Sequence, residues 1–255
     1  MIKKHLITCS VICVLVLISG LFICGKADTK KKKKHSAEYK FIYRQNDPST
    51  DFSFADEAMP LNDKQISRKL RGSLRKSSYN SVQSDILQEE AAKIFPIIEP
   101  ILSAYGIPND FKYMPLVEAG LKSGVSKRGA AGWWQFMPGT ARTYGLKVGH
   151  GRDDRYSIRK ATVAACKYLL ELHAEFNSWT LAAAAYNNGE IQLARAIKKQ
   201  SEDNYFRMHL NKETGSYVYR IIAMKEVIEH PELYGYKKYY DFGTNRQSAE
   251  LVALN

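Results

Sequence analysis

Between Ile158 and Phe176 the residues Ile158, Ala161, Ala165, Tyr168, Leu169, Leu172 and Phe176 recur at three- and four-residue intervals. That spacing is one face of an α-helix, and so broad a stripe marks a central core helix. The alanine-rich run Leu181-Ala182-Ala183-Ala184-Ala185 follows, with side chains short enough for helices to pack closely. Tyr186-Asn187-Asn188-Gly189 then turns the chain at a helix end. Further helices are predicted from about Ser84 to Tyr105, with Ile86, Ile94, Ile98 and Ile101 near one face and kinks at Pro96 and Pro100, and from Pro138 to Gly145. Two more run from Glu190 to about Lys199 and from Thr214 to Glu229, the last carrying Tyr217 in its first turn and Ile221, Ile222, Met224 and Ile228 beyond. No persistent two-residue alternation and no internal repeat occurs, so a mostly α fold is expected.

The chain opens with Met1-Ile2-Lys3-Lys4-His5 and an uncharged apolar stretch from Leu6 to Gly25, the pattern of a secretory signal or a membrane anchor. Three fates stay open: cleavage after Ala27, lipid attachment at Cys24, or retention as an anchor through residues 6–25. Each implies export to the cell envelope. The expected organisation is a signal or anchor over 1–27, a basic tether and N-terminal arm over 28–84, one catalytic domain over 85–235 and a tail over 236–255. The arm is read as irregular with one short helix, its Phe52, Phe54, Met59, Leu61, Ile66, Leu70 and Leu74 lying across the catalytic domain.

Cys9, Cys13 and Cys24 fall in the leader, which leaves Cys166 without a disulfide partner. His173 shares its predicted helix, but seven residues of helix separate the two by roughly 10 Å, so Cys166 is read as a small core residue. No histidine stands in a metal-binding pattern, and neither metal nor cofactor is expected. Of the net charge of +12, much is local to Lys3, Lys4, Lys26 and the run Lys30–Lys34. A lysine run beside an apolar anchor suits anionic lipid headgroups or a solvated tether, and with no nucleic-acid motif beside it nucleic acid is excluded as a partner. A monomer is expected.

Glu118 is the carboxylate that stands out. On the helix from Asp110, Phe111, Met114 and Glu118 fall at i, i+3 and i+7, which sets an acid on an apolar stripe with Gly120 as the helix stop. Poor solvation and the negative helix end both raise a carboxyl pKa, and a carboxyl that keeps its proton near neutrality suits a general acid. The alternative is an edge residue whose carboxylate reaches water. After it come the small residues Gly129-Ala130-Ala131-Gly132 and then Trp133-Trp134-Gln135-Phe136-Met137. Aromatic faces stack on the C–H faces of sugars and amides pair with their hydroxyls, so the loop suits a glycan. Adjacent residues seldom face the same way, so one tryptophan belongs in the core; Trp134 is counted among the glycan-contacting residues. Asp153 and Asp154 are candidates for a second acid, but their place before a helix favours turn and capping chemistry.

Glu118, Gly132-Trp133-Trp134-Gln135, Ala185-Tyr186-Asn187-Asn188-Gly189 and Glu213-Thr214-Gly215-Ser216-Tyr217-Val218 occur in the order and rough spacing of the four motifs of the family 1 lytic transglycosylases, which the chain resembles over about residues 88–230. Two departures stand out: Ala119 where the family usually has Ser, and Gly-Trp-Trp-Gln for Gly-Leu-Met-Gln. The resemblance implies a lysozyme-like (α+β superfamily) catalytic domain with an extended N-terminal arm, acting on peptidoglycan glycan strands. It implies that Glu118 alone protonates the bond between N-acetylmuramic acid and N-acetylglucosamine and then deprotonates the muramoyl 6-hydroxyl, giving a 1,6-anhydro end. By motif, Ser126, Gln135, Met137, Tyr186, Asn187 and Tyr217 shape the cleft. A goose-type lysozyme hydrolysing the same bond and an inactive glycan-binding scaffold are the rival readings. No repeated wall-binding module is expected after the domain.

Overall fold

The computed structural model describes residues 52–82, 85–120 and 124–236, all within one compact unit. The leader and anchor reading, the lysine run, Cys24, the arm up to residue 51 and the tail from residue 237 lie outside the described residues. Among the described residues no helix is long and apolar enough to cross a membrane.

A two-residue hairpin comes first, β1 (Ser53–Phe54) antiparallel to β2 (Glu57–Ala58), with Ser53 opposite Ala58 and Phe54 opposite Glu57. Its turn residues Ala55 and Asp56 both have positive φ, 53° and 63°, the mirror-image turn that follows strand twist. Helix α1 (Lys64–Ser77) starts at Asp63, whose carboxylate accepts from the amides of Gln65 and Ile66 at 2.6 and 3.2 Å. Ile66, Leu70 and Leu74, four residues apart, give it one buried face, and Arg75 and Lys76 suit its last turn. Where an irregular arm with one short helix was expected there is therefore a 14-residue helix, followed by the short α2 (Tyr79–Val82). The apolar residues of that arm do enter the core, Leu61 being only partly covered.

Helix α3 (Ile86–Ala104) runs as one element through Pro96 and Pro100. The two prolines lie four residues apart on the solvent side, where water takes the carbonyls that lose partners, while Leu87, Ala91, Ile94, Phe95, Ile98 and Leu102 face the core. A 3-10 turn over Asn109–Tyr113 leads into α4 (Met114–Glu118). Beyond the tryptophan loop lie α5 (Pro138–Thr143), a second hairpin of β3 (Val148–Gly149) with β4 (Arg152–Asp153), α6 (Ile158–Phe176), α7 (Trp179–Asn188), α8 (Glu190–Gln200) and α9 (Tyr217–Glu229). The expected mostly helical fold is what the described residues adopt, and the helices predicted from Ser84 onward are present to within two or three residues at their ends, those leading to Glu118 and carrying Tyr217 each beginning as a 3-10 turn.

Helix α6 packs on α3 and α7, as its broad apolar stripe requires, and Ser157 caps its first turn. The alanines of α7 are fully buried between neighbouring helices. Helix α9 packs along α1 and also meets α4 and α7, so the element that begins with Tyr217 touches most of the others that build the site. Cys166 is a buried core thiol, pushed up to about 12 by burial, and His173 stacks on Trp179 instead, ring centroids 3.8 Å apart.

Candidate active site

Helix α4 is only five residues long and ends at Glu118, with Ala119 as its cap and Gly120 at φ 55° turning the chain away. Phe111 and Met114, on the same stripe, are fully buried, which draws the Glu118 carboxyl inward with them. Burial is the main reason that carboxyl is raised to about 7; the Tyr217 hydroxyl and the Arg220 guanidinium pull it down, and the Glu213 carboxylate pushes it up. The helix end expected to contribute is a minor matter, because so short a helix carries little dipole.

Tyr217 donates its hydroxyl proton to Glu118 Oε1 from a fully buried position on the first turn of α9. Tyr205 fixes that turn: its hydroxyl donates to the Thr214 carbonyl at 2.6 Å and accepts from the Val218 amide at 3.2 Å. Tyr186, at the end of α7, donates to the Trp134 carbonyl at 2.8 Å, and its ring meets those of Phe136, Trp134 and Tyr168. Burial and the nearby Glu118 carboxylate hold the Tyr186 and Tyr217 phenols well above their ordinary value. Both act as proton donors in hydrogen bonds throughout the neutral range.

The tryptophan loop is held from behind. Trp134 is fully buried with its indole nitrogen donating to Thr162 Oγ1 at 2.9 Å, so its side chain faces the core and not a ligand. The reading of Trp134 as a glycan contact is corrected on that ground; what it offers the site is the carbonyl that receives Tyr186. Trp133 is partly covered. Gln135, at φ 47°, spends its amide nitrogen on the carbonyls of Gly124 and Gly132 at 3.0 and 2.8 Å, so its amide oxygen is what remains to meet a ligand. The Ser126 hydroxyl accepts from the Ala130 amide at 3.0 Å inside the same loop, and Met137 is 43% exposed.

Arg155 was not singled out from the sequence, yet it organises this loop. Its guanidinium donates to the carbonyls of Gly129 and Phe136 at 2.8 and 3.0 Å and pairs with Asp153 at 2.7 Å. Gly132, at φ 75°, lies so close behind that a Cβ would stand 1.9 Å from the Arg155 carbonyl oxygen. The small residues of the loop thus serve packing against Arg155 as well as access. Asp153 and Asp154 behave as turn residues: Asp153 accepts from the Arg155 amide at 3.1 Å and is lowered by its bond to the Arg155 side chain, while Asp154 is lowered by Lys160, the Lys147 amide and Arg152.

Asn187 reaches the site indirectly. Its amide oxygen accepts from Thr214 Oγ1 at 3.0 Å, its amide nitrogen lies 3.5 Å from Glu213 Oε1, and Asn211 ties the same network to Asn188 and Thr214. Glu213 and Arg220 are the charged neighbours of Glu118 that sequence reasoning passed over. Arg220 was within reach of it, since a residue three positions after Tyr217 shares its helix face.

Glu118, Tyr186, Tyr217, Glu213 and Arg220 thus form one electrostatic cluster. A proton-holding carboxyl in a poorly solvated site beside a mixed aromatic and amide loop can protonate a leaving oxygen and take a proton back. Among the described residues no group of His, Cys, Asp and Glu is arranged to hold a metal ion.

Residues 103–208 match the transglycosylase SLT domain, a span that holds Glu118, the tryptophan loop and Tyr186 but ends before Tyr217. The chain is also 32% identical over 135 residues to membrane-bound lytic murein transglycosylase D of Escherichia coli strain K12, and to the same degree to that of Escherichia coli O6:H1. The matched region is 51% of this chain and 30% of each relative, so the chain spans less than a third of the relatives it matches. Position, motif order and similarity agree that residues 103–208 of this mostly helical chain resemble a transglycosylase SLT domain.

Proposed function

We propose that this chain is a peptidoglycan lytic transglycosylase with Glu118 as its single acid and base. The observation that carries the reading is the hydrogen bond from Tyr217 to a Glu118 carboxyl kept protonated to about pH 7 by burial. Glu118 gives its proton to the oxygen that joins C1 of N-acetylmuramic acid to N-acetylglucosamine. The C1–O bond breaks with its electron pair on that oxygen, and the acetamido oxygen of the same muramoyl residue covers C1. Glu118, now a carboxylate, removes the proton of the muramoyl 6-hydroxyl as O6 closes on C1 and the acetamido oxygen leaves it with its electron pair. Water is not consumed and the acid is regenerated.

In this scheme Tyr217 orients the carboxyl, Tyr186 steadies the loop at Trp134, and Ser126, Gln135, Met137 and Asn187 line the cleft against the sugars. Asp153 and Asp154 are engaged with basic groups, in keeping with a mechanism that needs one acid. Glycan strands of the cell wall are the partner, and the protein acts as a monomer in the envelope, to which the apolar leader delivers it as a cleaved signal, a lipid-bearing segment or a retained anchor.

The test is mass spectrometry of fragments released from purified peptidoglycan by the full chain and by Glu118→Gln. Products lighter by one water than the hydrolytic ones, made only by the unsubstituted protein, are the expected result. Hydrated reducing ends would mean a lysozyme, and binding without release would mean a scaffold.

A further inference from the structure

Helix α9 carries several ions whose partners are plain. Lys225 bonds Asp110 Oδ2 at 2.8 Å, Glu229 accepts from the Tyr113 hydroxyl at 2.7 Å, and Glu226 accepts from the Tyr234 hydroxyl at 3.1 Å. Arg220 differs. It enters no ion pair among the described residues, and its Nε is buried without an acceptor. Its guanidinium carbon stands 5.4 Å from the centre of the Tyr217 ring, the ring whose hydroxyl is bonded to Glu118. A desolvated donor with no partner is costly and is not explained by packing alone. A guanidinium does not titrate in the working range, so its charge is constant there.

We propose that Arg220 is a positioning residue of the reaction, whose permanent charge, braced on Tyr217, stabilises the Glu118 carboxylate left behind by the first proton transfer. The inference rests on the reading of Glu118 as the acid. The groups around that carboxyl are Tyr217 and Arg220 from α9, Glu213 from the segment before it, and Tyr186 from α7; Tyr205 also feels the Arg220 charge. Glu213 opposes Arg220, and the phenols stay neutral, so Arg220 is the cation of the cluster. The charge works in the direction the chemistry needs. A buried carboxyl alone holds its proton too firmly to release it, and a nearby fixed cation lowers the cost of the anion without solvating it.

The experiment is the pH dependence of peptidoglycan cleavage by the full chain, by Arg220→Gln and Arg220→Met, and by Arg220→Lys. Met keeps an alkyl stem against Tyr217 and removes the unmatched donor, so it serves if Gln unfolds; melting curves establish folding for each. Loss of the charge is expected to lower kcat about tenfold with KM little changed, and to move the alkaline limb of kcat/KM upward by about one pH unit, the low end of what a nearby opposite charge does. Arg220→Lys should return the limb towards its original position. A folded neutral variant whose limb stays in place overturns the proposal, as does one that loses only KM. Turnover surviving in Glu118→Gln would instead overturn the assignment of the acid, whatever Arg220 does.

Discussion

With its carboxyl raised to about 7 from an ordinary value of 4.5, Glu118 binds a proton more tightly in the folded chain than in the unfolded one. Its contribution to stability is therefore full below the unfolded value and fades as pH climbs through about 7, by up to about 3 kcal/mol in all. Glu118→Gln should remove that dependence, so denaturant melts at pH 4 and pH 8 are expected to differ less for the variant than for the parent. Tyr217→Phe deletes a bond that favours the carboxylate, so the alkaline limb of kcat/KM should rise while kcat falls. A third substitution, Gly132→Ala, meets the Arg155 carbonyl and an unfavourable φ together, and a loss of more than about 2 kcal/mol is expected in the same melts. The apolar setting of Glu118 was legible because its stripe and its stop were written in neighbouring residues. Trp134 was misread because the choice between two adjacent tryptophans depends on where Thr162 stands, which no local pattern records.

The hairpin of β1 and β2 acts on an element far along the chain. Glu57 accepts from the Ser178 hydroxyl, the Trp179 and Thr180 amides and the Thr180 hydroxyl, so it caps the helix whose other end presents Tyr186 and Asn187. Glu57→Ala should cost about 2 kcal/mol and weaken cleavage through misplacement of α7, which melts and initial rates on peptidoglycan would both register. Ala55 holds a left-handed φ of 53° while its amide donates to Asp110, so Ala55→Gly should stabilise the fold by about 0.5–1 kcal/mol with activity intact. Strands of two residues are too short to show an alternating pattern, which is why both hairpins escaped the sequence. Helix α1 was partly visible in the spacing of Ile66, Leu70 and Leu74, but the many polar residues around it and the break at Pro60 made the arm read as irregular with one short helix.

At the scale of the molecule, one continuous hydrophobic core runs from Phe52 to Tyr236, and α1 covers the length of α9. We therefore expect the smallest folding unit to reach back to Phe52: a fragment starting at Ile86 would uncover the face of α9 on which α1 packs and should give poorly dispersed NMR spectra. The helices of the domain were legible as separate stripes, whereas their order of packing was not, because contacts such as Tyr113 to Glu229 span more than a hundred residues. The bond between Glu118 and Tyr217 is of the same kind, joining positions 99 residues apart. A ribosome reaches the acid long before it reaches the tyrosine. Until α9 has emerged and docked, the growing chain carries a carboxyl without its partner, so the pair that defines the cluster is completed only late in synthesis.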